Sequence, residues 1–203
     1  EYVFYMSAGI ALINLILILL FYKEPPREQK TESLGKSINN AWRNIGLVVK
    51  DGKFLIFLLI IAGFWAMYYQ FFYSLPVFIG EWMDTTGIYN SIHAFSPALA
   101  QMIGTKDGTI EPEMLTNIDA LYIVLLQIVV SASVMKIKPL STMVTGIIIS
   151  AMGAGLMFMF NNPVFLIFSI LVFGIGEMTS SPKITEYIGR IAPHDKVALY
   201  IGS

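Results

Sequence analysis

PLSTMVTGIIISAMGAGLMFMFNNPVFLIFSILVFGIG, residues 139–176, is a run of 38 residues without one Asp, Glu, Lys or Arg. As a single helix it would measure about 57 Å at 1.5 Å per residue, nearly twice a hydrocarbon core of about 30 Å. Asn161-Asn162-Pro163 stands near its middle, and that is turn chemistry rather than helix interior. The run therefore reads as a hairpin of two membrane-crossing helices, with spans at 139–160 and 163–188.

The same signal recurs on the N-terminal side. Residues 2–22 carry no charge and stop at Lys23-Glu24-Pro25-Pro26, where prolines and charges end a helix. Residues 54–79 are uncharged throughout, and residues 120–135 close on Lys136 and Lys138. Of the 203 residues 56% are hydrophobic and 13% charged, about half the charged fraction of a soluble domain. The expected fold class is all-α: a polytopic membrane helix bundle of five spans, with the start of a sixth from residue 197. The chain opens at Glu1 in apolar sequence and closes on Val197 to Ser203, so it reads as a piece of a larger membrane protein.

Between the first two spans lies a polar connector, residues 23–53. Within it Leu34, Ile38, Trp42, Ile45 and Val49 recur at helical spacing, the pattern of a helix lying along a surface. Residues 54–203 form the start of a second bundle. Its first outer loop, 80–118, contains a short amphipathic helix over 88–103.

Orientation follows from the basic residues. The loops at 23–53, 136–142 and 183–196 hold seven, two and three lysines and arginines, whereas those at 80–118 and 161–163 hold one and none. The positive-inside rule assigns the twelve to the cytoplasm; a multi-pass protein of the plasma (inner) membrane is expected. Cysteine is absent and the two histidines, His93 and His194, fall in expected loops. Disulfides and thiolate metal sites are thereby excluded, and no metal site is expected. No nucleophile–base pair or phosphate loop is visible, so no enzyme, catalytic residue, cofactor or nucleic-acid partner is expected.

Glu177 follows the long apolar run directly. It lies fourteen residues into the fifth span, about 21 Å from the outer end, and an ionised carboxylate there must be paired, protonated or wet. Ser180 and Ser181 share its helical face, and Pro182 permits a bend. Lys183, Glu186 and Arg190 stand one turn apart near the inner interface; they are solvated helix-end ion pairs or part of an inner gate. In the second span Trp65, Tyr69 and Tyr73 repeat every four residues, with Tyr68 and Gln70 beside them. This group begins too deep for an aromatic belt alone and suits hydrogen bonding to a polar organic substrate. Gln127 and Ser131 share a face of the third span. Asp119, at that span's outer end, reads as an interfacial charge. Gly146, Ser150, Gly153 and Gly155 in the fourth span permit close helix approach.

The segment GEMTSSPKITEYIGRIAPHDKVALYIG, from residue 176, resembles the tenth-helix signature of proton-coupled oligopeptide transporters, a branch of the major facilitator superfamily. The matching pairs are Gly176-Glu177, Ser181-Pro182 and Ala192-Pro193, with Gly202 beyond. Phe64, Trp65, Ala66 and Gln70 match a seventh-helix motif of that family, whose acidic position is Tyr69 here. The asparagine–proline pair expected near the start of the eighth helix is missing; Asn117 or Asp119 stands nearby. The resemblance implies that residues 1–203 cover helices six to ten of twelve, with the missing N-terminal half as partner. It further implies that Glu177 meets the amino end of a substrate.

The expected function is secondary active transport of small polar solutes by alternating access, with di- and tripeptides as cargo and a proton as coupling ion. Glu177, Trp65, Tyr68, Tyr69, Gln70, Tyr73, Gln127, Ser180 and Ser181 are the candidate substrate-binding residues, and Pro182, Lys183, Glu186 and Arg190 the candidate gate. The alternatives are a transporter of a non-peptide solute and a non-transporting membrane scaffold or sensor. Besides substrate and the missing half, membrane lipids are the expected partners.

Overall fold

A computed structural model of the protein describes residues 2–23 and 50–191, with helical positions at 35, 39, 42, 43 and 46 between them. Most of the expected connector stripe, the Ala192-Pro193 and Gly202 matches and the expected span from 197 lie outside the described residues. Every regular element among the described residues is a helix.

The first helix, α1 (Tyr2–Phe21), is 20 residues long and carries no charge. It is apolar on all sides, and nearly all its described side chains are exposed. Such a helix suits lipid or a protein partner on every face, not water.

A second unit holds the remaining helices. Helix α2 (Gly52–Trp82) begins where the Asp51 side chain accepts from the Phe54 N–H, and it runs 31 residues with Pro76 inside it. After it come α3 (Thr86–Phe95) and α4 (Pro97–Ile103). These two replace the single helix expected over 88–103. The break is at Ser96, whose backbone is extended, as the residue before a proline prefers. Its hydroxyl then accepts from Leu99 N and caps α4. Ahead of α3, the Asp84 carboxylate accepts from Thr86 N at 2.9 Å, and its hydrogen bonds to Thr86 hold it below the usual carboxylate range. A turn at residues 104–110, with Gly108 at φ 75°, is pinned where Ile110 N donates to the buried Thr85 hydroxyl at 2.9 Å.

Helix α5 (Pro112–Thr116) leads almost directly into α6 (Ile118–Val134). Together they form one candidate membrane span of 23 residues, Pro112–Val134, longer at its outer end than the span expected over 120–135. The hairpin of the long uncharged run follows as α7 (Pro139–Met157) and α8 (Pro163–Ile191). Asn162 caps α8 by accepting from Val164 N at 2.9 Å and Phe165 N at 3.1 Å. Helix α8 passes through Pro182 to Ile191, three residues beyond the end expected at 188.

Small residues set how closely α7 and α8 pack. An added Cβ on Gly146 would stand 2.7 Å from Gly176 O and Ser180 N, and one on Gly153 would stand 2.7 Å from Phe173 Cα. The Ser150 hydroxyl donates across the interface to Phe173 O at 3.2 Å. Gly155, expected to share this role, faces open space, because its position lies off the stripe traced by 146, 150 and 153.

Two apolar clusters fill the unit. One joins Phe71, Leu75, Phe78, Met157, Leu166 and Phe173; the other joins Phe54, Phe57, Phe64, Met143, Ile184 and Ile188. Along α2 the gap between them falls at residues 65–70, and along α8 at residues 174–183. With five helices long and apolar enough to cross a bilayer, the protein is an integral, multi-pass helical bundle.

Candidate functional site

The gap between the clusters is polar. From α8 comes Glu177, 9% exposed; from α6 comes Asp119, 1% exposed; from α2 comes the half-buried Tyr68. The Glu177 carboxyl neighbours both the Asp119 carboxyl and the Tyr68 hydroxyl. Asp119 Oδ1 and Glu177 Oε2 are buried without a hydrogen-bond partner among the described residues. Unsatisfied buried carboxylate oxygens are costly in any protein, and in a membrane span they mark a functional site by default.

Asp119 corrects the sequence reading, which placed it at the interface as a surface charge. Helix α5 extends the helical span outward, so Asp119 stands seven residues inside it, about 10 Å from the end at 1.5 Å per residue, and is buried. Its carboxyl also has a prepared space. A Cβ on Gly174 would come within 2.8 Å of Asp119 Oδ1, so a side chain at 174 would force that carboxyl to shift. The signal available in the sequence was the Gly174-x-x-Glu177 spacing, which puts a gap one turn before the acid on the same face.

Tyr68 is oriented by aromatic neighbours. Its ring stacks on Phe173 at 6.1 Å between centroids and meets Trp65 edge-on at 5.4 Å. Trp65 in turn packs edge-on against Phe64. Tyr122, one turn from Asp119, donates its hydroxyl to Ile167 O at 3.3 Å and ties α6 to α8.

The other predicted residues do not all converge here. Gln70 and Tyr73 line a separate groove of about 330 Å³ near the far end of α2, with Ser74, Glu81 and Trp82. There Gln70 donates to the Ser74 hydroxyl at 2.6 Å. Tyr69 and Tyr73 are exposed. Gln127 lies in a third groove, about 500 Å³, between α6 and α8, together with Ser131, Pro182, Lys183 and Glu186. Ser180 is fully buried against Gly146, and its hydroxyl donates back to Gly176 O at 2.8 Å. That hydroxyl is occupied at the α7 interface instead of extending the polar surface around Glu177. Ser181 is half-buried.

On the inner turns of α8 the charges pair with one another. Glu186 Oε2 accepts from Lys183 Nζ and Oε1 from Arg190 Nη2, each at 2.7 Å. The Lys183 side chain is 11% exposed and that of Arg190 65%. A buried ammonium is thus held by a carboxylate that also reaches the surface.

What the arrangement can do follows from its charges. Two carboxyls and a phenol meet in an apolar shell, and the basic side chains of α8 are already engaged with Glu186. The centre suits a proton or a cationic group of a solute.

The family model described as the Major Facilitator Superfamily matches residues 1–202. No curated protein and no solved structure matches the chain.

Proposed function

The chain belongs to the Major Facilitator Superfamily and is a transporter of that type, and we propose that it couples a proton to the passage of small polar solutes, di- and tripeptides above all. The observation that carries this reading is Glu177, a carboxyl enclosed by three helices with one oxygen unpartnered. A carboxylate kept only for packing would have its oxygens satisfied by neighbouring donors.

In this reading the site lies between two halves of the complete transporter and opens to one side at a time. An ammonium end of the solute meets the Glu177 carboxylate, which a charge-assisted bond favours strongly in a dry site. The Tyr68 hydroxyl stands beside the same carboxylate, where it can donate to it and fix its direction. Pro182 leaves one α8 carbonyl without its helical donor, so the helix bends most easily below the site. Lys183, Glu186 and Arg190 lie beyond that bend, where making and breaking their pairs opens or closes the inner side. The excess of basic residues in alternate segments supports a cytoplasmic position for 23–53, 136–142 and 183–196.

The test uses the complete protein in proteoliposomes with an imposed pH gradient. Uptake of labelled di- and tripeptides is expected when the outside is acidic, and Glu177→Gln is expected to abolish it. Gradient-driven uptake that is undiminished in Glu177→Gln refutes the assignment of Glu177, and wild type that takes up no peptide under any gradient refutes the cargo.

A further inference from the structure

We propose that Asp119 and Glu177 form a two-carboxyl centre that holds one proton between them, with Asp119 keeping that proton while Glu177 holds the solute's ammonium. The inference rests on the transport reading above and assigns a second residue to its site. Three observations carry it. The two carboxyls come from different helices and are adjacent. Both are at least nine-tenths buried, and each has an oxygen without a partner. Gly174 opens the space that Asp119 Oδ1 occupies.

The other groups facing the pair are few. Helix α2 supplies the Tyr68 hydroxyl. Helix α6 supplies Tyr122, whose hydroxyl is turned to Ile167 O. Helix α7 carries no titratable residue. On α8, Lys183 and Arg190 are bound to Glu186. Two like charges in contact in an apolar shell cannot both persist. Two carboxylates would bring two negative charges, and one proton leaves the pair with one.

The proton balance of loading is then complete. In the empty site one O–H bond lies between the two carboxyls. When an ammonium arrives at Glu177, that proton settles on Asp119 Oδ1, and the second negative charge is neutralised by the ammonium. The loaded site is neutral overall, carrying one proton and one solute cation together. No proton has to be expelled for the solute to bind, which makes the two travel in the same direction.

The experiment is difference infrared spectroscopy of the complete protein in lipid nanodiscs at neutral pH, without solute, reading the carbonyl band of a protonated carboxyl. The wild type is expected to show one such band that the Asp119→Asn, Glu177→Gln and double variants all lack, a loss of the same single band each time. Asp119→Glu is expected to keep it. Gly174→Ala, which removes no carboxyl but crowds Asp119, is expected to weaken it at least twofold, and it serves if the amide variants do not fold. A band retained at wild-type intensity in both Asp119→Asn and Gly174→Ala overturns the shared proton, as does a wild type identical to the double variant. On adding a dipeptide the band is expected to shift and persist; its disappearance overturns joint loading. The spectrum is independent of uptake. The shared band without gradient-driven uptake refutes the proton-coupled transport reading alone, and uptake without the band refutes this inference alone.

Discussion

The close approach of α7 and α8 yields a stability difference between two glycines of the same helix pair. An alanine at 176 would drive its Cβ against the Ser150 backbone N and hydroxyl and within 2.6 Å of Gly146 O. Two of those three atoms belong to a helix backbone, which cannot rotate aside as a side chain can. Overpacking of this kind costs about 1–3 kcal/mol, and the backbone contacts put Gly176→Ala at the upper end. The gain in helix propensity from glycine to alanine is about 1 kcal/mol. The net loss is therefore about 2 kcal/mol. Gly155→Ala meets nothing within 4 Å and receives only the propensity gain, about 1 kcal/mol. The two variants should differ by about 3 kcal/mol, on the order of a hundredfold in the unfolding constant. Equilibrium unfolding of the complete protein in mixed micelles, wild type and both variants side by side, reads the difference. Gly176→Ala as stable as Gly155→Ala would refute the backbone-on-backbone interface.

Removing one hydroxyl from the central site should be felt in solute affinity before it is felt in folding. Tyr68→Phe deletes the group beside Glu177 while the ring keeps its stack on Phe173; a loss of about 1 kcal/mol should raise the KM of gradient-driven uptake about fivefold, and an unchanged KM would rule out the contact. In the inner charge cluster, Glu186→Gln leaves the buried Lys183 ammonium without its carboxylate, whereas Arg190→Gln removes only an exposed arm. Because an exposed pair is worth under about 1 kcal/mol and a buried unpaired charge costs more, Glu186→Gln should be the less stable variant in thermal unfolding. The reverse order would mean that Lys183 reaches water by itself.

Much of this architecture was legible because membrane solvent imposes coarse rules. An uncharged run twice the bilayer thickness has to fold back, and Asn162 was in place to cap the return. Glu177 was legible for the same reason, as an acid immediately after 38 uncharged residues. Asp119 was not, since its depth depends on α5 joining α6 across Asn117, a tertiary outcome with no mark in the apolar pattern. Ser180 was misread because helical spacing places a residue on a face without saying whether a neighbouring helix already covers it. The break between α3 and α4 was available in Ser96-Pro97 and lost to the amphipathic period that runs across it.

The Gly146, Gly153 and Gly176 contacts have one further effect. Helices that meet through side chains can trade one set of rotamers for another and slip by a turn. Here the meeting atoms are main chain, and a shift of α7 along α8 by one residue, about 1.5 Å, would carry a methyl or larger group into a gap that admits only hydrogen. The hairpin is locked in register, like a key seated in its ward. Any change of shape that opens the central carboxyls to one side or the other must be taken up at α2, at α6, or below Pro182.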